Sequence, residues 1–391
     1  MAFLSSAGQT YFIGVFGPAI QTEFALDAGS WGRIYMMGTL ASALLINWSG
    51  SLIDRFDLRW FTAFSLVGLS LASFVMSSVT SPSLLVIAIF MLRQFGQGLS
   101  SHAGITSMAR YHAADRGKAI ALAAIGFAIG EAALPVLAVF AIEAWGWRNS
   151  YAAVALAVLV SMLLALWLLK GHSQRHASHA LAMDKGDSEK VTTHYTRKQM
   201  LSEPRFYFML PAMIAPSLIM TAMFFFPAEI AKAKGWSNLW VTGHYWVYSL
   251  TALTVTISSG VLIDRFSARR VVPVFLMPLA IALSVLTLSD HHFMIWPFML
   301  FMGGSSGLYF TGLTALWAEL YGAKHLGAIK SLTNAVMVFS SALGPALVGS
   351  LLSWQIGFSA ICLGLAGICI FATVLLVYSL RQTPVTMKQA T

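Results

Sequence analysis

Apolar residues along this 391-residue chain gather into twelve long runs separated by short polar breaks. The runs cover about 3–22, 33–53, 60–79, 83–108, 117–141, 148–169, 206–230, 240–262, 270–289, 292–316, 327–352 and 356–380. A helix needs about 20 mostly apolar residues to cross the hydrocarbon core of a bilayer. Each run meets that length, so the pattern predicts an all-α membrane protein with twelve transmembrane helices. Glycine and proline recur inside the runs, which membrane helices tolerate because neighbours re-satisfy the freed backbone groups.

The spacing of the runs is uneven at one place. Between the sixth and seventh lies a long polar stretch, roughly 170–204, holding Lys170, Arg175, Lys185, Lys190, Arg197 and Lys198. Such a composition buries too little apolar surface to pack. It divides the chain into an N-terminal half, 1–169, a linker, 170–204, and a C-terminal half, 205–391. The halves repeat each other. Gly50-Ser51-Leu52-Ile53-Asp54-Arg55-Phe56-Asp57-Leu58-Arg59 returns 210 residues later as Gly260-Val261-Leu262-Ile263-Asp264-Arg265-Phe266-Ser267-Ala268-Arg269. The same offset takes Tyr35 to Tyr245, Tyr111 to Tyr321, Gly117 to Gly327 and Pro135 to Pro345. Two parallel six-helix halves are one of the layouts used by membrane transporters.

Composition narrows the class. Charged residues make up 10% of the chain, the hydrophobic fraction is 58% and the mean hydropathy is +0.74. A soluble domain carries about 25% charged residues, so this chain cannot cover a water-facing surface. Its net charge of +9 raises the question of a nucleic-acid partner. The distribution answers it: 19 of the 24 Lys and Arg fall on the linker side of the expected helices and four on the other side, with Arg93 inside the fourth run. Basic residues accumulate on the cytoplasmic side of membrane proteins. The linker and both termini are therefore expected in the cytoplasm, in a bacterial-type inner membrane, with no nucleic-acid partner. The first run has no basic residues before it and reads as a retained helix rather than a cleaved signal. Cys362 and Cys369 stand seven residues apart on one helix. That is about 10 Å at 1.5 Å per residue, beyond the reach of a disulfide. No phosphate-binding G-x-x-x-x-G-K-[ST] loop occurs. No nucleophile–base set or metal-ligand spacing is present in the runs, so neither an enzyme nor a cofactor or metal site is expected.

The repeated motif has a physical reason. Asp54 and Asp264 close the second and eighth runs, where a carboxylate meets the negative end of its own helix dipole. Each needs another partner, and helix N-termini attract anions. Runs 5 and 11 start on the same side, so Asp54 is expected at the start of run 11 and Asp264 at the start of run 5. Twelve runs, two parallel halves, a central linker and a doubled G-x-L-x-D-R together resemble the major facilitator superfamily. That resemblance implies a secondary transporter working by alternating access. It also implies a latch between the halves on the linker side, built from Gly50, Asp54, Arg55, Arg59, Gly260, Asp264, Arg265 and Arg269. The pattern departs from the family where a glycine is common, with Asp57 in the first copy and Ser267 in the second.

Intramembrane charge is costly and marks function. Arg93 lies about 15 Å into the fourth run and Glu131 about 21 Å into the fifth, at 1.5 Å per residue. Both reach mid-depth, and an ion pair between them is expected. Arg93-Gln94-Phe95-Gly96-Gln97-Gly98 resembles the family's fourth-helix motif, whose arginine is linked to substrate or proton coupling. Gln97 continues the face of Arg93. Family geometry adds Gln9, Tyr11 and Tyr309 to a central cavity. Glu131 stands where drug antiporters of the superfamily carry a proline. The reading is proton-coupled uptake of a small organic anion or carboxylate-bearing metabolite by a monomer, with Arg93 as the cation and Glu131 as the proton carrier. Proton-driven efflux of amphipathic compounds is the alternative. Run 8 lacks the Asp and Arg that carboxylate carriers of the superfamily often place there.

Overall fold

The computed structural model describes residues 1–49, 53, 56–111, 116–170, 196–322 and 326–381. Gly50, Asp54 and Arg55, and the linker from 171 to 195, lie outside the described residues. Among those described the chain is helical throughout, with no strand. The path α1 runs through Leu4–Gly8, Thr10–Ile13, Gly14–Phe16 and Gly17–Glu23. It is followed by α2 (Ala28–Ser49) and α3 (Leu58–Ser77). Next comes α4, made of Pro82–Leu92, Arg93–Ser100 and Ser101–Tyr111. Helices α5 and α6 are the two arms of Arg116–Leu168, which turns at Gly146. The second half holds α7 (Pro204–Phe225), α8 (Tyr245–Phe266) and α9 (Ala268–Val271, Val272–Val274 and Leu276–Leu288). It ends with α10 (Ile295–Tyr321), α11 (Leu326–Ser353) and α12 (Phe358–Arg381). Among the described residues nine segments are long and apolar enough to cross a membrane; the one spanning Ala121–Leu168 contains the turn between α5 and α6.

Two expectations about the runs need correction. The first run is not one helix: Gln9 is extended, with ψ 152°, and splits it. The fifth and sixth runs are not separated by a polar loop. The reversal is made at Gly146 alone, whose φ of 75° is open to a residue without a Cβ. Just after it, Trp147 and Arg148 both donate to Glu23, at 2.6 and 2.5 Å, tying this turn to the end of α1. The Arg148 hydrogen bond is the main reason the Glu23 carboxyl is held below its usual range.

The halves meet closely on the side away from the linker. There α2 and α11 touch backbone to backbone: a Cβ on Gly32 would sit 2.2 Å from the Pro345 carbonyl oxygen, and one on Gly349 would sit 2.3 Å from that of Ala28. Small residues at such crossings let helices close in a medium that offers no hydrophobic drive. Asp27 precedes α2 and accepts hydrogen bonds from the Ser30 N–H at 3.0 Å and from the Ser353 hydroxyl of α11. These bonds, Ser30 first, hold its carboxyl down from 3.8 to about 2. Beneath this seam Phe225 of α7 stacks on Trp31 at 5.1 Å and leans on Tyr35 at 4.4 Å. On the linker side two glycines lack such a contact. Gly260 near the end of α8 and Gly327 at the start of α11 have no described atom within 4 Å of where a Cβ would lie.

Candidate functional site

The site begins with the irregularity in α4. Arg93 opens an eight-residue π-helical stretch, Arg93–Ser100. Such widened turns cost hydrogen-bond geometry and recur at functional positions. Opposite it lies the break in α1. The Phe12 and Ile13 N–H groups both bond the Gln9 carbonyl, at 3.2 and 3.1 Å, leaving the Gly8 carbonyl without its helical donor. Arg93 supplies one: its Nη1 donates to Gly8 O at 3.2 Å and to Thr10 Oγ1 at 3.3 Å. A buried carbonyl must find a donor, so the broken helix and the buried cation satisfy each other. The Thr10 and Tyr35 hydroxyls share a 2.6 Å hydrogen bond, and the guanidinium carbon lies 5.4 Å from the Tyr35 ring centre. Arg93 is 2% exposed.

Glu131 on α5 has different company. Its Oε2 accepts a 3.0 Å hydrogen bond from Ser249 on α8, which joins the two halves. Tyr11, Tyr245 and Tyr248 lie within electrostatic reach of its carboxyl. Two of these have partners: Tyr11 donates to Ser6 at 2.8 Å and Tyr248 to Ser306 at 2.9 Å. The buried Tyr245 hydroxyl has none among the described residues. Phe224 sits edge-on among these tyrosines, 5.0 Å from Tyr245 and 4.8 Å from Tyr248.

The expected Arg93–Glu131 ion pair is not formed. Neither side chain has an oppositely charged partner within 4.0 Å among the described residues. The cause is α1, which passes between α4 and α5. A Cβ on Gly96 of α4 would meet the Gly8 Cα at 2.6 Å, and one on Gly130 of α5 would meet Ser6 Oγ at 2.2 Å. Leu4–Gly8 therefore separates the two charges.

The remaining candidates divide. Gln9 is the extended residue at the break and Tyr11 belongs to the Glu131 group. Gln97 is half-buried within the π-helical stretch. Tyr309 stands apart in the second half, where it donates to the Met213 carbonyl at 2.8 Å and meets Ser217 at 2.9 Å. Gln94 beside Arg93 turns to α2, bonding Ser42 and Ser49. Of the latch residues, Arg59 is half-buried, while Asp264, Arg265 and Arg269 are exposed. Asp57 accepts from the Arg59 N–H at 2.8 Å and caps α3. In the second copy the cap comes from elsewhere: Glu319 of α10 accepts from the Ala268 and Arg269 N–H groups at 2.6 and 3.3 Å. The role of Tyr35 was not legible from spacing. Its one signal was the shared register with Tyr245.

Residues 1–262 and 245–391 match the family model of the Major Facilitator Superfamily. This protein is a member of the major facilitator superfamily. No curated protein sequence matches the chain. Among solved structures it is similar to the nucleoside transporter NupG, with a TM-score of 0.74 at 14% identity and 98% of each chain covered. It is also similar to a bacterial homologue of the human lysosomal transporter Spinster in an inward-facing and unoccupied conformation. There the TM-score is 0.72 at 14% identity, covering 97% of this chain and 95% of the other. The superfamily fold makes this chain an integral, multi-pass membrane transporter of the secondary type, and not an enzyme.

Proposed function

We propose that this member of the major facilitator superfamily takes up a small organic anion together with protons. The observation that carries the reading is Arg93: a guanidinium buried to 2% exposure at membrane depth with no carboxylate within 4.0 Å among the described residues. A cation kept in that setting is expensive, and an anionic solute is the group that compensates it. Glu131 supports the second half of the reading. An unpaired carboxylate at this depth is also expensive, and its bond to Ser249 spans the halves that must part. The close α2–α11 seam on the far side supports reading this conformation as inward-facing, the conformation named for the Spinster homologue. The excess of Lys and Arg on the linker side supports cytoplasmic termini in an inner membrane. A nucleoside, the solute class named for NupG, carries no charge for Arg93 to meet.

A second reading is gradient-driven export of amphipathic compounds. It is favoured by an apolar cavity of about 240 Å³ between α1, α5 and α6, lined by residues such as Phe12, Phe16, Leu134 and Val154. Reconstitution into liposomes separates the two. With an inward proton gradient, labelled monocarboxylates should accumulate while uridine and a lipophilic dye do not. Dye export without carboxylate uptake would favour the second reading and remove the first.

A further inference from the structure

A guanidinium is planar and offers five N–H donors in a fixed fork. In Arg93 they are unequally used. Nη1 carries both hydrogen bonds, to Gly8 O and to Thr10 Oγ1. Nε is buried without a partner among the described residues. Nη2 makes no hydrogen bond to a described residue. The unused donors therefore share one edge of the plane, Nε–H with the neighbouring Nη2–H. Two parallel donors on that edge match the two oxygens of a carboxylate, which makes such pairs short, strong and orientation-specific.

The neighbours fix which edge is left over. Gly8 offers its carbonyl only because α1 breaks at Gln9. Thr10 accepts from Nη1 and is itself held by the Tyr35 hydroxyl at 2.6 Å. The Tyr35 ring supports the guanidinium at 5.4 Å, an arrangement that favours a cation. Every polar contact falls on Nη1, and a buried charged donor left unpaired carries a substantial penalty. A lysine could not be arranged this way, since its ammonium has no plane and no edge.

We propose that the solute's carboxylate docks side-on against the Nε–Nη2 edge of Arg93, and that Thr10 and Tyr35 are positioning residues that keep this edge free. The inference rests on the anion-uptake reading above and narrows it to planar two-oxygen anions. Halides lack that two-point match, and a sulfonate, which can accept from both donors, brings a tetrahedral, bulkier head to an edge that suits a planar one, so both are discriminated against.

The test uses the purified full-length protein and thermal stabilisation by named probes: acetate, benzoate and nicotinate, each against its amide and its sulfonate analogue. At least one carboxylate should stabilise the parent, with its amide inert and its sulfonate about tenfold weaker. Thr10→Val and Tyr35→Phe should each weaken the carboxylate about tenfold and erase its preference over the sulfonate. Thr10→Ser should restore both, a rescue that a merely structural contact would not link to anion shape. Arg93→Lys should retain weak binding with no preference. Should Arg93→Lys fail to fold, the two neighbouring variants carry the test alone. Unchanged preference in Thr10→Val and Tyr35→Phe overturns this inference and leaves the anion reading standing. If no carboxylate stabilises the parent, the anion reading falls and this inference falls with it.

Discussion

Arg93 and Glu131 sit on opposite faces of α1, so each should fail in its own way. Glu131→Gln removes a titratable group but keeps an acceptor for Ser249. Uphill accumulation should be lost while exchange of solute across the membrane persists; an assay of counterflow against gradient-driven uptake separates the two. Arg93→Ala strands the Gly8 carbonyl as well as removing the cation, and should lower both transport and thermal stability. The double variant should not recover function, because there is no ion pair whose balance it restores. Parent-like uphill transport by the double variant would show that neither group couples the proton. Asp27 is a residue-scale device at the far seam. Its folded carboxyl, at about 2, lies below its ordinary 3.8. The seam it supports is therefore complete above about pH 4 and is lost as pH falls towards 2. Asp27→Asn should loosen the seam at neutral pH. Spin labels at Thr22 and Trp354, with Cys362 and Cys369 replaced by serine, should report a longer distance in the variant than in the parent.

At the scale of elements, the two motif copies reach one end by different means. Both must start a helix on the linker side, and both need an acceptor for its first N–H groups. In the first copy Asp57 provides it from within, with φ −55° and no strain. In the second, Ser267 holds φ 68° and ψ 151°, a conformation suited to glycine, and Glu319 supplies the carboxylate from α10. Ser267→Gly should raise stability by about 1 kcal/mol by relieving that backbone, seen as a higher melting temperature in detergent. Glu319→Gln should cost about 1 kcal/mol, the usual worth of a cap. Both departures from the family glycine thus have local accounts, one as a cap and one as strain. The broken α1 and the π-helical part of α4 form a second pair of elements. Its repeat-related positions are Ile219 for Gln9 and Gly303 for Arg93, so the polar crossing exists in one half only.

At the scale of the whole molecule, α2 and α11 close the halves on the side away from the linker. Gly32→Leu places atoms where the Pro345 carbonyl lies, 2.2 Å from the first of them. The α2–α11 seam should open and the population shift towards states accessible from the far side. Labelling of a far-side cysteine at Ser30 by a membrane-impermeant maleimide should speed up relative to the parent. Topology follows from charge: reporters placed after residue 185 and at the C-terminus should both report cytoplasm. Reporters in 80–83 and 290–292 should report the opposite side. An outside-facing linker would contradict the Lys and Arg bias of 19 to four.

Apolar run length and the 210-residue echo were enough to determine an all-α membrane fold in two related halves. Both are one-dimensional quantities, set by bilayer thickness and by repetition, and need no knowledge of packing. The rarity of charge at mid-depth likewise marked Arg93 and Glu131, because that cost depends on depth alone. Which groups those charges meet was decided by tertiary structure. Sequential helices suggested α4 against α5, yet Gly8, Gly96 and Gly130 let α1 slip between them. The break at Gln9 has no proline to announce it, and the carbonyl it leaves at Gly8 is taken by Arg93, 84 positions away from the break. Helical periodicity describes one helix at a time, whereas the acceptor for a side chain at this depth is whatever backbone the neighbouring helix leaves unpaired.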